Sequence, residues 1–128
     1  MDFLSSNSQL LLEKSMGFLW TKQAALLDNV ANAETPNYKT KVVTFEESLR
    51  TRLEQAGRGP APRSRVREAL EDSEVTVFEA QDVTRMDDNG VNVNEQLVEA
   101  VRNAYQIQYV MQSISSNLSV LRSAIRGQ

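Results

Sequence analysis

The chain has 128 residues, 41% of them hydrophobic, a formal charge of −3 and a pI near 5.0, and it contains neither histidine nor cysteine. That length suits one ordinary domain, and the missing residue types exclude zinc sites, disulfides, thiol nucleophiles and the commonest general base. A net acidic chain is not a dedicated nucleic-acid binder, which carries a strongly basic face.

At the N-terminus, Met1-Asp2-Phe3-Leu4-Ser5-Ser6 lacks the positive region of a secretory signal. No run approaches the ~18 to 20 apolar residues that span a bilayer, so no direct membrane insertion is expected. A helix is predicted from Gln9 to Ala33, with Ser6 and Gln9 as a capping box. Leu12, Met16, Leu19, Gln23, Leu26, Val30 and Ala33 follow the alternating four-three spacing of a coiled-coil seam, with a polar interruption at Gln23. At 1.5 Å per residue this helix is roughly 40 Å long. Pro36 ends it by biasing Thr35 toward extended geometry. Asn29 and Asn32 stand three residues apart, just before the Thr-Pro-Asn turn. Amides at that spacing reach one patch of surface. They either cap their own helix or bond across a subunit boundary.

From Lys39 to Asn89 apolar material is sparse: Val42, Val43, Phe45 and Leu49, then Val75, Val77 and Phe78, with Met86 behind. It suffices for one short helix from Phe45 to Ala56 and a strand or hairpin from Val75 to Val83. Gly57-Arg58-Gly59-Pro60-Ala61-Pro62 between them reads as a flexible linker, extending to about residue 67. The arginines from Arg50 to Arg67, followed at once by Glu68, Glu71, Asp72 and Glu74, read as a solvated loop, with an acidic surface or lipid headgroups as the other reading. Asp87-Asp88-Asn89-Gly90 is a turn signal. Its adjacent carboxylates are the only candidates for a hydrolase and are more simply turn residues, so no enzyme and no cofactor are expected.

The last helix is the strongest signal. Val93, Leu97, Ala100, Ala104, Ile107, Met111, Ile114, Leu118, Leu121 and Ile125 keep the four-three alternation without a charged residue, and Asn92 with Glu95 offers a capping box. Each long helix carries a second apolar strip beside its seam. These are Trp20, Ala24, Leu27 and Ala31 on the first, and Val98, Val101, Tyr105 and Tyr109 on the last. The middle segment is too short of apolar residues to cover them, which marks an interaction surface. The expected fold is mainly α: two long terminal helices form an antiparallel coiled-coil hairpin around a short irregular, β-containing middle. The parts are 1–38, 39–90 and 91–128.

The stretch Asn29-Val30-Ala31-Asn32-Ala33-Glu34-Thr35-Pro36-Asn37-Tyr38-Lys39 resembles the N-terminal signature of the bacterial flagellar axial family of rod, hook and hook-associated proteins. The motif residues are Asn29, Ala31, Asn32, Thr35, Pro36, Tyr38 and Lys39; Asn37 stands where glycine is common, and asparagine tolerates left-handed geometry there. The short middle, the run from Lys39 to Leu49, the Val91 to Leu97 entry to the last helix and the ending from Leu118 to Gly127 are similar to the proximal rod proteins. The resemblance covers about residues 5 to 50 and 85 to 128.

That resemblance implies a structural subunit of the periplasmic rod of the flagellar basal body, exported unfolded by the type III apparatus without a cleaved signal. The implied partners are copies of itself, an FlgC-like rod protein, the rod–ring adaptor FliE, the export gate and the membrane ring. Leu12, Met16, Leu19, Leu26 and Val30 would pair with Leu97, Ile107, Met111, Ile114, Leu118, Leu121 and Ile125 in the coiled coil and its assembly, and Tyr38 would anchor the turn or pack in the core. An FlgC-like sibling remains an alternative. So does a cytosolic helical-hairpin adaptor or chaperone, which explains the stripes but not the motif.

Overall fold

A computed structural model describes residues 6–58, 60–80 and 91–127. Helix α1 (Asn7–Ala31) starts where Ser6 Oγ accepts the Gln9 amide, 3.1 Å away, and stops at Asn32. Strand β1 (Lys41–Thr44) leads into helix α2 (Glu46–Gly57); helix α3 (Pro62–Glu71) and strand β2 (Thr76–Glu79) follow. Helix α4 (Val93–Arg126) opens on Asn92, whose side chain accepts the Glu95 amide, and closes on Gly127 in the left-handed region at φ 69°. The Asp87 to Gly90 turn, Met86 and the part of the strand reading beyond Ala80 lie outside the described residues.

The fold is thus mainly helical, with one two-stranded sheet. β1 and β2 pair antiparallel, Lys41 opposite Glu79 and Thr44 opposite Thr76. The expected middle helix is α2. Residues 62–67, read as linker, are instead the first turns of α3. Pro62 sits at the start of that helix, where its missing N–H costs nothing, and Val66 and Leu70, four residues apart, turn one face inward. Leu70 is 1% exposed. Asn7 Nδ2 donates to Arg63 O at 2.8 Å, and Lys14 Nζ donates to Glu71 O and Ser73 O, holding α3 along α1.

The core lies where α1, α2, α3 and α4 meet: Phe18, Leu19, Phe45, Leu49, Leu70 and Ile107. The Phe18 and Phe45 rings stack with centroids 5.2 Å apart. The two terminal helices pack against each other along α1. Asn29, near the end of α1, bonds Gln96, near the start of α4; Leu19 O and Gln23, earlier in α1, bond Asn103, later in α4.

The α4 stripe divides in two. Ala100 and Ile107 are buried and Val93, Ile114 and Leu121 half-buried, whereas Leu97, Ala104, Met111, Leu118 and Ile125 are exposed. For the first four, the residue one position earlier is the covered one: Gln96, Asn103, Val110 and Asn117 are all buried or half-buried, and Gln96 and Asn103 bond to α1. Apolar spacing alone passes over them because three of the four are amides. On α1, Leu19 and Leu26 are buried and Leu12, Met16 and Val30 half-buried, but Phe18, Ala25 and Asn29 are buried as well. The face of α1 is broader than a seam because α4 covers one side of it and α3 and β1 cover another.

Candidate functional site: an asparagine clasp and an open helical flank

Asn29 has no exposed surface. Its position in the last turn of α1 points the amide at the strand that follows and at the first turn of α4. Nδ2 donates to Lys41 O at 2.8 Å and to Gln96 Oε1 at 2.9 Å; Oδ1 accepts from the Lys41 amide at 2.8 Å and from Tyr38 Oη at 3.1 Å. An asparagine amide offers two donors and two lone pairs, and all four are used. No capacity remains for a bond across a subunit boundary.

Asn32 works locally. Nδ2 donates back to Asp28 O at 2.9 Å and Oδ1 accepts from Thr35 Oγ1 at 3.2 Å, while the Thr35 amide donates to Asn32 O. Pro36 and Asn37 then reverse the chain, Asn37 at φ 59°, the left-handed geometry that asparagine tolerates. Ala31, Thr35, Pro36 and Lys39 are exposed and Tyr38 is half-buried. Lys41 Nζ lies 2.6 Å from Asp28 Oδ2, a pair outside the motif that sequence reading passed over.

Burial raises the Tyr38 phenol above its ordinary value, Lys41 pulls it back, and Asp28 and Glu79 add to the rise. The hydrogen bond to Asp28, with that carboxylate's charge, raises Lys41. A neutral phenol and a charged ammonium suit a structural clasp. The arrangement holds α1, β1 and α4 together.

A second amide node lies further along the helix pair. Asn103, 1% exposed, donates from Nδ2 to Leu19 O at 2.9 Å and Gln23 Oε1 at 2.8 Å, and its Oδ1 finds no donor among the described residues. Gln23, the polar interruption in the α1 stripe, is thereby explained.

Outside these nodes the helix pair has an open flank. Trp20 and Leu27 on α1 are 57% and 52% exposed; Leu97, Val98, Val101, Met111 and Leu118 on α4 range from 46% to 60%. Steps of 100° per residue put Leu97, Ala104 and Met111 on the side of α4 opposite Gln106 and Val110, which border a groove shared with α2. The other strip residues, Tyr105 and Tyr109, border that groove. Among the described residues no helix is long and apolar enough to cross a membrane.

No protein-family model matches the chain. Three curated relatives do. The flagellar basal body rod protein FlgB of Aeromonas hydrophila is 29% identical over 112 residues, 84% of this chain and 85% of its own. FlgB of Aquifex aeolicus is 27% identical over 92% of each chain, and that of Bacillus subtilis 24% over 91% of each. By sequence the chain is FlgB-like, similar over most of its length to flagellar basal body rod proteins. The open flank lies on the two terminal helices of this FlgB-like chain, and the clasp ties them to β1 of the middle segment. Its middle segment supplies α2, α3 and the strands that cover the other side of the helix pair.

Proposed function

We propose that the chain is a structural subunit of the proximal rod, polymerising through its terminal helices into the hollow shaft between the membrane ring with its export gate and the distal rod. In this reading α1 and α4 form an antiparallel coiled-coil hairpin fixed by the two amide nodes, and neighbouring subunits cover the open flank. The observation that carries it is the set of apolar side chains left exposed on the two long helices, Trp20 and Leu27 on α1 and Leu97, Val98 and Val101 on α4, in a FlgB-like sequence. Exposed apolar area of that extent marks an association surface, and head-to-tail contacts whose rotation does not close on itself build a helical array.

The neighbours in this reading are further copies, an FlgC-like rod protein and FliE, reached by type III export without a cleaved signal. The motif residues Asn29, Ala31, Asn32, Thr35, Pro36, Tyr38 and Lys39 set the hairpin's end. Leu12, Met16, Leu19, Leu26, Val30, Ile107, Ile114 and Leu121 hold it together, and Leu97, Met111, Leu118 and Ile125 meet neighbours. The test is a Leu97→Glu, Val101→Glu double variant in a strain lacking the chromosomal copy. Both side chains are exposed, so the purified variant keeps the parent's helical spectrum and melting temperature, while rods fail to assemble and cells do not swim. Normal motility in that strain overturns the reading.

A further inference from the structure

A groove of about 740 Å³ runs between α2 and α4, with α1 as its floor. Phe18 lines the floor, Leu49 and Leu53 one wall, and Tyr105 and Tyr109 the other. Phe18 and Leu49 are buried, but Tyr105 is 69% and Tyr109 73% exposed, so one wall is finished and the other stands open. The α4 lining runs from Arg102 to Val110, about 12 Å at 1.5 Å per residue, or roughly two helical turns. Three helices surround an apolar slot that a fourth would fill, which is the geometry of helix-in-groove recognition.

Charge narrows the choice of occupant. Arg50 stands on the α2 wall and Arg102 on the α4 wall, their side chains 81% and 66% exposed. Among the described residues each pairs with a carboxylate of its own helix, Arg50 with Glu54 and Arg102 with Glu99. Exposed pairs of this kind are weak, so an arriving carboxylate can replace either partner. Among the described residues, Glu54 is the one acidic group in the lining, against two arginines. The tip of a second copy's α4 suits the slot poorly, because from Met111 to Arg126 its only charged residues are Arg122 and Arg126.

We propose that this groove docks an amphipathic helix of a different protein, one that carries acidic residues beside its apolar stripe. The proposal stands apart from the rod reading, since peptide binding to the isolated chain is read without any assembly.

The probe is an 18-residue designed peptide of about five helical turns, with leucines at i, i+3, i+4 and i+7 spacing and flanking glutamates. A second peptide replaces every glutamate with lysine. Fluorescence anisotropy against the full chain is expected to show the acidic peptide binding at least ten-fold more tightly, with the preference fading as salt screens it. The Arg50→Glu, Arg102→Glu variant should reverse that preference. Tyr109→Ala should weaken acidic-peptide binding ten-fold or more while the melting temperature holds. Equal binding of the two peptides, no saturable binding of the acidic one, or an unchanged preference in the double variant overturns the proposal. So does self-association of the chain that excludes the acidic peptide and disappears in the double variant, which would make a second copy the occupant.

Discussion

Asn29 gathers four hydrogen bonds on one side chain with no exposed surface. Asn29→Ala leaves the Lys41 amide and the Gln96 side chain without their partner, and buried groups stripped in this way cost about 1–3 kcal/mol each. We expect a loss of about 2–4 kcal/mol in urea unfolding. Asn29→Asp should be no rescue, because a carboxylate cannot donate to Lys41 O or Gln96 Oε1. The same cluster makes stability sensitive to alkali. Tyr38 and Lys41 both have folded pKa values raised above their ordinary ones, so the unfolded chain gives up those protons first. Their contribution is whole below about pH 10, the ordinary tyrosine value being 10.0, and is lost as pH climbs through the folded values. Melting temperature should therefore fall above about pH 10, and Tyr38→Phe, which removes one of the two groups, should lessen that fall.

Between the long helices, the amide node at Asn103 trades stability for register. A buried amide in a helix seam fixes alignment at some energetic cost, and here the cost is visible in an Oδ1 that has no donor among the described residues. Asn103→Leu removes that orphan at similar volume. The isolated chain should melt at a higher temperature with an unchanged denaturant slope, and a lower melting temperature would mean that the bonds to Leu19 O and Gln23 outweigh the orphan. The amide nodes also separate what the sequence could reveal from what it could not. Ser6, Asn92 and the apolar periodicity mark both long helices, because caps and spacing are local signals. The facing half of the α4 seam escapes that logic, since Gln96 and Asn103 are polar and their fitness for the seam depends on partners on α1. α3 escapes because Val66 and Leu70 are its only residues in or against the core, too few for a pattern amid arginines and glutamates. The pairing of β1 with β2 joins segments on either side of α2 and α3, and no short-range rule specifies it. The four bonds of Asn29 were likewise illegible: the motif's spacing pointed to a shared patch, whereas the partners come from β1 and α4.

For the molecule as a whole, the helix pair is covered on one side and bare on the other, and α4 outruns α1. Helix α4 has 34 residues and α1 has 25. The bonds that link Asn29 to Gln96 and Leu19 to Asn103 advance along one helix as they retreat along the other. At equal rise per residue, Asn7 then falls opposite about residues 115–118. Beyond that point α4 has no described residue of α1 beside it, yet it carries Val120 at 66% and Ile125 at 78% exposure. Side chains so exposed contribute little to the stability of the lone chain, and truncation at such a terminus is judged by what its backbone and side chains contact. Removing residues 122–128, all exposed where described and beyond the half-buried Leu121, should accordingly leave the urea-unfolding free energy of the purified chain within about 0.5 kcal/mol of the parent. In cells the same truncation should abolish rod assembly, because the missing segment holds the exposed Ile125 ready for a neighbour. A truncated chain that supports swimming would mean that the tip is spare length, and the association surface would then shrink to the flank formed by Trp20, Leu27, Leu97 and Val101.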